Sequence, residues 1–567
     1  MDKKAKQAIM GSCAVLAVIL VVVAVLLVKK FTPNKEVLPL TEYYDVKEGE
    51  VMVILQDQIY EKSGYMIDGA VYLDYNTVIE KFNSRFYWDN NENVLIYTTP
   101  TEVIKAEVGS KDYYKNKSKN TMQSPIVKTN GNEVYILIEY IQMFSDMRYE
   151  VYDSPKRVVI EYQWGEYLYS TVEKPGSIRS EASIKSPIVG EVPKGEVLLY
   201  VDTDEVVKGK FTKVMTKDGV IGYIQNKYIS SSYYDHAVST YQAPEYTHIT
   251  KDYTINMAWH QVTNVDANKN LMAALDGTKG ITTISPTWFS VDSNEGTIAS
   301  LASEEYVEKA HNNGIEVWAL VDDFTYDVNM YEVLSYTSRR EKLTNELMAE
   351  AIKYNLDGIN VDFEKIPKDA AVHYVQFLRE LSVKCRNNGI VLSVDNYVPA
   401  PYNSYYNLTE QGEIVDYVVI MAYDEHYQGS EESGSVSSIG YVNKAIQDTL
   451  AMVPAKRTII AIPFYTRIWK ETTEGGTTKI SSEAYSMEAA WNFMVDRGVE
   501  PVWDETTGQY YAEYQEDNVL YRCWLEEEES TEERMKLISE ASVAGVSGWK
   551  LGLEKKSIWN VIIKYVN

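Results

Sequence analysis

Residues 356–364 read Leu-Asp-Gly-Ile-Asn-Val-Asp-Phe-Glu, and within them Asn360, Asp362 and Glu364 alternate strictly with Ile359, Val361 and Phe363. A period of two is a strand pattern: successive side chains point to opposite faces, so the amide and the two acids share one face and the apolar groups share the other. Two acids on one face suit proton transfer, with one carboxyl desolvated and kept protonated as a general acid beside a second. An isolated Asp-x-Glu is more often a solvated strand face. Here the opposite face is bulky and apolar, which requires burial, and buried acids are costly unless a site uses them.

The elements that must hold this strand run from about Thr247 to Asn567, where apolar strand-like runs alternate with helical stretches such as Ser338 to Tyr354 and Ala370 to Asn388. Eight such runs are present: Ile255 to Trp259, Ile281 to Pro286, Val317 to Val321, Ile359 to Phe363, Val391 to Val394, Tyr417 to Ala422, Thr458 to Ile462, and Val546 to Trp549. That order predicts an α/β architecture, a (β/α)₈ barrel over 247–567. Phe464 to Ala544, with a hairpin-like Val502 to Tyr511, reads as an insertion walling one side of a cleft. Barrel enzymes place their chemistry at the C-terminal ends of the strands. Glu364 sits at such an end, and the other runs end in Trp288-Phe289, Asp322-Asp323-Phe324, Asp395-Asn396-Tyr397, Met421 to His426, Tyr465 with Arg467, and Trp549. Aromatic walls with a few polar groups suit a sugar ring, whose CH faces stack while its hydroxyls hydrogen-bond. Asn360, Trp288, Asp323, Asn396, Tyr465 and Arg467 are therefore candidate substrate contacts beside the acids.

Upstream, residues 41–165 carry a weak internal repeat. Val71-Tyr72-Leu73, Val78, Ile79, Phe82, Tyr87-Trp88-Asp89 and Val94-Leu95-Ile96 are matched by Val134-Tyr135-Ile136, Ile138, Ile141, Phe144, Val151-Tyr152-Asp153 and Val158-Val159-Ile160. Each copy predicts strand, short helix, strand, turn, strand, an α+β module. Residues 169–232 alternate short β-rich runs with turns such as Pro193-Lys194-Gly195-Glu196 and Lys217-Asp218-Gly219, which predicts a small β-barrel.

Residues 7–28 are free of charge and rich in Ala, Val, Ile and Leu. As a helix they would extend about 33 Å, enough for a hydrocarbon core. No small-x-small site follows; Leu26, Leu27 and Val28 run straight into Lys29 and Lys30. A single-pass anchor is expected rather than a cleaved signal, with Lys3, Lys4 and Lys6 favouring a cytoplasmic N-terminus and everything after Phe31 outside. The formal charge of -27 repels phosphate backbones and sets nucleic acid aside. Only Cys385 and Cys523 lie beyond the apolar segment, so disulfides do not hold the fold. The six His residues show no metal-binding spacing, and neither a metal nor another cofactor is expected.

On these motifs the barrel resembles glycoside hydrolase family 18, whose fourth strand carries DxxDxDxE. Asp357, Asp362 and Glu364 match it, Met421, Tyr423 and Asp424 match the family's MxYD, and Trp549 falls at its barrel-floor tryptophan. Asp-Glu-His-Tyr after Tyr423 is most similar to the spore-cortex and germination hydrolases. The resemblance implies cleavage of β-1,4 links in N-acetylglucosamine-containing glycans (peptidoglycan, its fragments or chitin) by a retaining route in which the substrate's own N-acetyl oxygen is the nucleophile. In that scheme Glu364 is the general acid, Asp362 steers the acetamide, Tyr423 holds its carbonyl, Trp549 floors the sugar, and Asp424 contacts the ring or supports Tyr423. Asp357 is structural. One position departs: Asn360 stands where the family has a second Asp, which removes a like charge beside Asp362 and predicts a less elevated Asp362. Members reused as lectins lose the acid, so a silent glycan-binding or wall-tethering protein is the alternative. The repeat region resembles the N-terminal domain of copper amine oxidases, and residues 169–232 resemble a bacterial Src-homology-3-like domain.

Overall fold

The computed structural model describes residues 2–201, 207–208, 210–474 and 476–566, which divide into two compact units. Residues 202–206, in the expected small β-barrel, and Asn567, at the end of the expected (β/α)₈ barrel, lie outside the described residues.

The larger unit comprises residues 87–105, 114–119 and 244–567. Its centre is eight strands: β1 (Ile255–His260), β2 (Thr283–Val291), β3 (Glu316–Asp322), β4 (Gly358–Asp362), β5 (Val391–Tyr397), β6 (Tyr417–Met421), β7 (Thr458–Pro463) and β8 (Gly545–Trp549). Neighbours pair in parallel throughout, and β8 pairs with both β7 and β1, closing the barrel. These are the eight runs expected from the sequence. β4 is shorter than its pattern, ending at Asp362, so Phe363 and Glu364 open the following loop.

Alternation divides the apolar residues into two layers. Ile359, Val361 and Phe363 pack outward with residues of the helices Thr337–Lys353 and Ala371–Asn388, while Trp259, Trp318, Leu320, Val419, Met421 and Tyr423 pack within the barrel. Gly358 opens β4 because a Cβ there would lie 2.7 Å from the Trp318 ring. Helix Ala371–Asn388 ends at Gly389, whose φ of 70° is the left-handed cap that lacks a Cβ penalty. Between β7 and β8 lies a five-stranded antiparallel sheet whose hairpin Val502–Asp504/Gln509–Glu516 is the one expected.

The hairpin Tyr87–Asp89/Val94–Thr98, part of the first repeat copy, belongs to this barrel unit. Asp89 accepts the Thr337 N–H at 2.6 Å, satisfying an otherwise orphan donor at a helix start. Arg340, fully buried, donates to the Tyr87 hydroxyl at 3.0 Å and pairs with the buried Glu380 at 3.2 Å. The corresponding strands of the second copy, Arg148–Tyr152 and Arg157–Glu161, belong to the other unit. The repeat thus keeps its elements in both copies, and the copies differ in what they pack against.

The smaller unit holds two further sheets. One joins strands of the repeat region, including Glu50–Leu55, Ala70–Asp74, Glu133–Leu137 and Arg157–Glu161. The other orders antiparallel strands between Gly165 and Ala237 around Val172, Ile178, Leu198, Val214 and Ile224. At the N-terminus Lys3–Phe31 is a single helix with a window of mean hydropathy 3.1 and no buried residue, long and apolar enough to cross a membrane.

Candidate active site

At the C-terminal mouth of the barrel, Asp362 and Glu364 line one cavity of about 230 Å³. Met421, Tyr423, Asp424, Tyr465 and Trp549 line it as well, from β6, β8 and the chain after β7. Trp259, Phe324, Asp395 and Tyr397 complete the wall, none of them among the contacts expected above.

Two acids at the end of β3 lie beside Asp362 and Glu364. Asp322 stands level with Asp362 in the β3–β4 register. Asp323 accepts the backbone N–H of Glu364 at 3.0 Å and of Lys365 at 2.9 Å, fixing the loop that carries Glu364 beyond the strand end. Burial lifts the Asp323 carboxyl to about 6 against the pull of these two donors. Asp323 therefore holds the acid's backbone, and it does not line the cavity.

Asn360 also stays out of the cavity. It lies fully buried below it as a polar crossing point. Its Oδ1 accepts from Trp259 Nε1 at 3.0 Å and Ser285 Oγ at 3.1 Å, while its Nδ2 donates to Ser393 Oγ at 3.0 Å and Asp395 Oδ1 at 2.8 Å. All four hydrogen-bonding sites of the amide are used.

The acids sit in a low-dielectric well. Burial pushes Asp362 far above the ordinary carboxylate range, and the charges of Asp395, Glu364, Asp323 and Asp322 add to it. Asp395 is raised by burial and by Glu364, with the hydrogen bond from Asn360 and the Trp259 N–H opposing. Glu364 is raised by burial and by Asp424, while a hydrogen bond from Tyr397 and the charge of Lys365 pull it back. With Asn360 in place Asp362 is strongly raised, and the acid Asp395 on β5 is among the charges that raise it. Buried oxygens Asp362 Oδ1 and Asp395 Oδ2 have no hydrogen-bond partner among the described residues.

Around them, the Tyr465 hydroxyl donates to Asp424, and the Tyr423 and Tyr465 rings meet edge-on at 6.3 Å. Asp424 has φ of 56°, a left-handed conformation that Asp tolerates better than most residues. Trp549 stands edge-on to Trp259 at 5.7 Å. Asp357 is away from the cavity, accepting the Val317 N–H and bonding His311, both at 2.8 Å.

Besides Asp323 and Asn360, three further expected contacts point elsewhere. Trp288 is buried in the outer layer, its Nε1 donating to Asn268 at 2.8 Å, because alternation puts it on the outward face with Ile284, opposite to the inward Ser285. Asn396 alternates with Asp395 and faces outward, exchanging hydrogen bonds with Gln411 at 2.8 and 3.1 Å. Arg467, on the inserted strand Tyr465–Glu474, donates to Ser482 on its partner strand Thr477–Ser486 and does not line the cavity. The signal for the correct β5 residues was present: in Ser393-Val394-Asp395-Asn396-Tyr397 the polar, inward-facing set is 393, 395 and 397.

A closed parallel barrel with paired acids and aromatic walls at its C-terminal mouth defines a glycosidase. The chain belongs to the glycosyl hydrolases of family 18, whose model matches residues 220–554, more than half of the 567. Models of the copper amine oxidase N-terminal domain and the bacterial SH3 domain match residues 47–160 and 175–230. Among relatives, the uncharacterized glycosylase YvbX of Bacillus subtilis is 25% identical over 288 residues, 47% of this chain and 80% of the relative. The cortical fragment-lytic enzyme of Bacillus anthracis is 26% identical over 253 residues, 43% of this chain and 57% of the relative, so little more than half of that enzyme's length is spanned. The spore cortex-lytic enzyme SleL of Bacillus cereus shares the fold with a TM-score of 0.50 at 21% identity, covering 59% of this chain and 77% of that one.

Proposed function

We propose that this protein is a membrane-anchored, extracytoplasmic glycosidase that cleaves β-1,4 links in N-acetylglucosamine-containing glycans, peptidoglycan or its fragments first among them. The observation that carries the reading is the placement of Asp362 and Glu364 in one sugar-sized cavity at the barrel mouth, beside Tyr423 and Trp549. Glu364, raised by burial, donates its proton to the glycosidic oxygen. Asp362 receives the acetamide N–H on its unpartnered Oδ1 and stabilises the positive oxazolinium formed when the N-acetyl oxygen attacks the anomeric carbon. The Tyr423 hydroxyl steadies the acetamide carbonyl, and Trp549 floors the ring. Similarity to cortical fragment-lytic enzymes supports peptidoglycan over chitin. The helix Lys3–Phe31, apolar and unburied, supports the anchor, and a bacterial SH3 domain fits a wall-facing location.

The full-length chain in mild detergent is incubated with purified peptidoglycan and with chitin oligomers, and new reducing ends are counted. Release from peptidoglycan that falls by about two orders of magnitude or more in Glu364→Gln is the expected result. Equal release by wild type and variant removes the acid from its role, and no release from either polymer by wild type overturns the enzymatic reading.

A further inference from the structure

Position 360 lacks the acid that its place in the motif leads one to expect, yet the polar cluster beneath the cavity is not short of a carboxylate. Asp395, on the neighbouring strand β5, is 2% exposed, and its Oδ1 accepts from Asn360 Nδ2 at 2.8 Å. Its other oxygen, Oδ2, is buried without a partner among the described residues, as is Asp362 Oδ1, and both residues line the cavity. Asp395 is also the strongest charged neighbour of Asp362. Two buried carboxyls lining one cavity repel each other when both are charged, which favours a proton on one of them.

We propose that Asp395 is a positioning residue that supplies, from the fifth strand, the buried carboxylate absent at position 360, and that it acts through Asp362. Asn360 then serves as the donor that fixes which Asp395 oxygen faces down, leaving the second oxygen to share a proton with Asp362. The arrangement rests on the role given to Asp362 above. Asp362 is faced by Asp322 and Asp323 from β3 and its adjoining loop, by Glu364 on its own segment and by Tyr423 beyond β6, but none of these bonds Asn360. Across β4 and β5, Asn360 bonds Ser393 and Asp395, and Asp395 is the acid of the two.

The pair can be exchanged. Asp395→Asn removes the charge and should lower kcat by about tenfold or more with a smaller change in KM. It should also shift the pH–rate profile, because Asp362 then ionises at lower pH. In the exchanged variant, Asn360→Asp with Asp395→Asn, one charge and one amide–carboxylate hydrogen bond are restored with polarity reversed. Trp259 Nε1 and Ser285 Oγ remain suitable donors to the new carboxylate. Its kcat should recover to within about threefold of wild type, as coupled neighbours do and independent ones do not. An exchanged variant no better than Asp395→Asn, or an Asp395→Asn enzyme with unaltered kcat and profile, overturns the proposal. Glu364→Gln run alongside separates this from failure of the enzymatic reading: an inactive Glu364→Gln with an unaltered Asp395→Asn defeats only the positioning role. Infrared titration of the full chain supplies a readout without turnover. A protonated-carboxyl band that persists to higher pH in wild type than in Asp395→Asn is expected, and identical titrations overturn the shared proton.

Discussion

Asp323 receives the backbone N–H of Glu364, at 3.0 Å, so the proposed proton donor is held by its main chain to the end of the preceding strand. Because β4 stops at Asp362, the position of Glu364 is set by this clamp and not by the sheet ladder. Asp323→Ala removes both amide acceptors and should lower kcat by about 10- to 100-fold with KM much less affected. Asp323→Asn keeps one acceptor and should fall between. Steady-state kinetics on chitin oligomers or peptidoglycan fragments decide it, and an Ala variant with wild-type kcat refutes the clamp.

The Tyr397 hydroxyl stabilises the ionised form of Glu364, while the Asp424 charge opposes it. Activity needs the protonated acid, which is present below its pKa and lost as pH rises through it. Tyr397→Phe should therefore carry the alkaline limb of kcat to higher pH, and Asp424→Asn should carry it to lower pH. Limbs that move together, or not at all, would show that another group sets this limb.

Arg340 and Glu380 form a buried pair in which the arginine also reaches Tyr87 and the Leu334 carbonyl. Arg340→Met leaves the Glu380 charge buried without its partner and should destabilise the barrel by about 3–5 kcal/mol. Denaturant unfolding followed by tryptophan fluorescence measures this. Residual activity per folded molecule should stay near wild type, since Arg340 is outside the cavity.

Helix Lys3–Phe31 exposes Val, Leu and Ile on every side. A chain lacking residues 2–31 should partition into the soluble fraction with its hydrolytic activity intact, whereas the full-length chain should sediment with membranes and resist carbonate extraction. A full-length chain found soluble and uncleaved refutes the anchor.

The sequence by itself determined the barrel, because each strand announces itself through a local apolar run and each helix through its own period, with no knowledge of partners required. It also determined that Asp362 faces inward, since alternation within five residues is a local property. Tertiary structure decided the rest. That Asp395 meets Asn360 beneath the cavity follows from the β4–β5 register, in which Asn360 stands opposite Ser393. That Phe289 joins Trp288 in the outer layer follows from the slip between β2 and β3. That Asp323 grips the Glu364 loop follows from β3 and β4 lying side by side. Each depends on pairing between strands more than twenty residues apart in the chain, and register between distant strands is fixed only when the barrel closes.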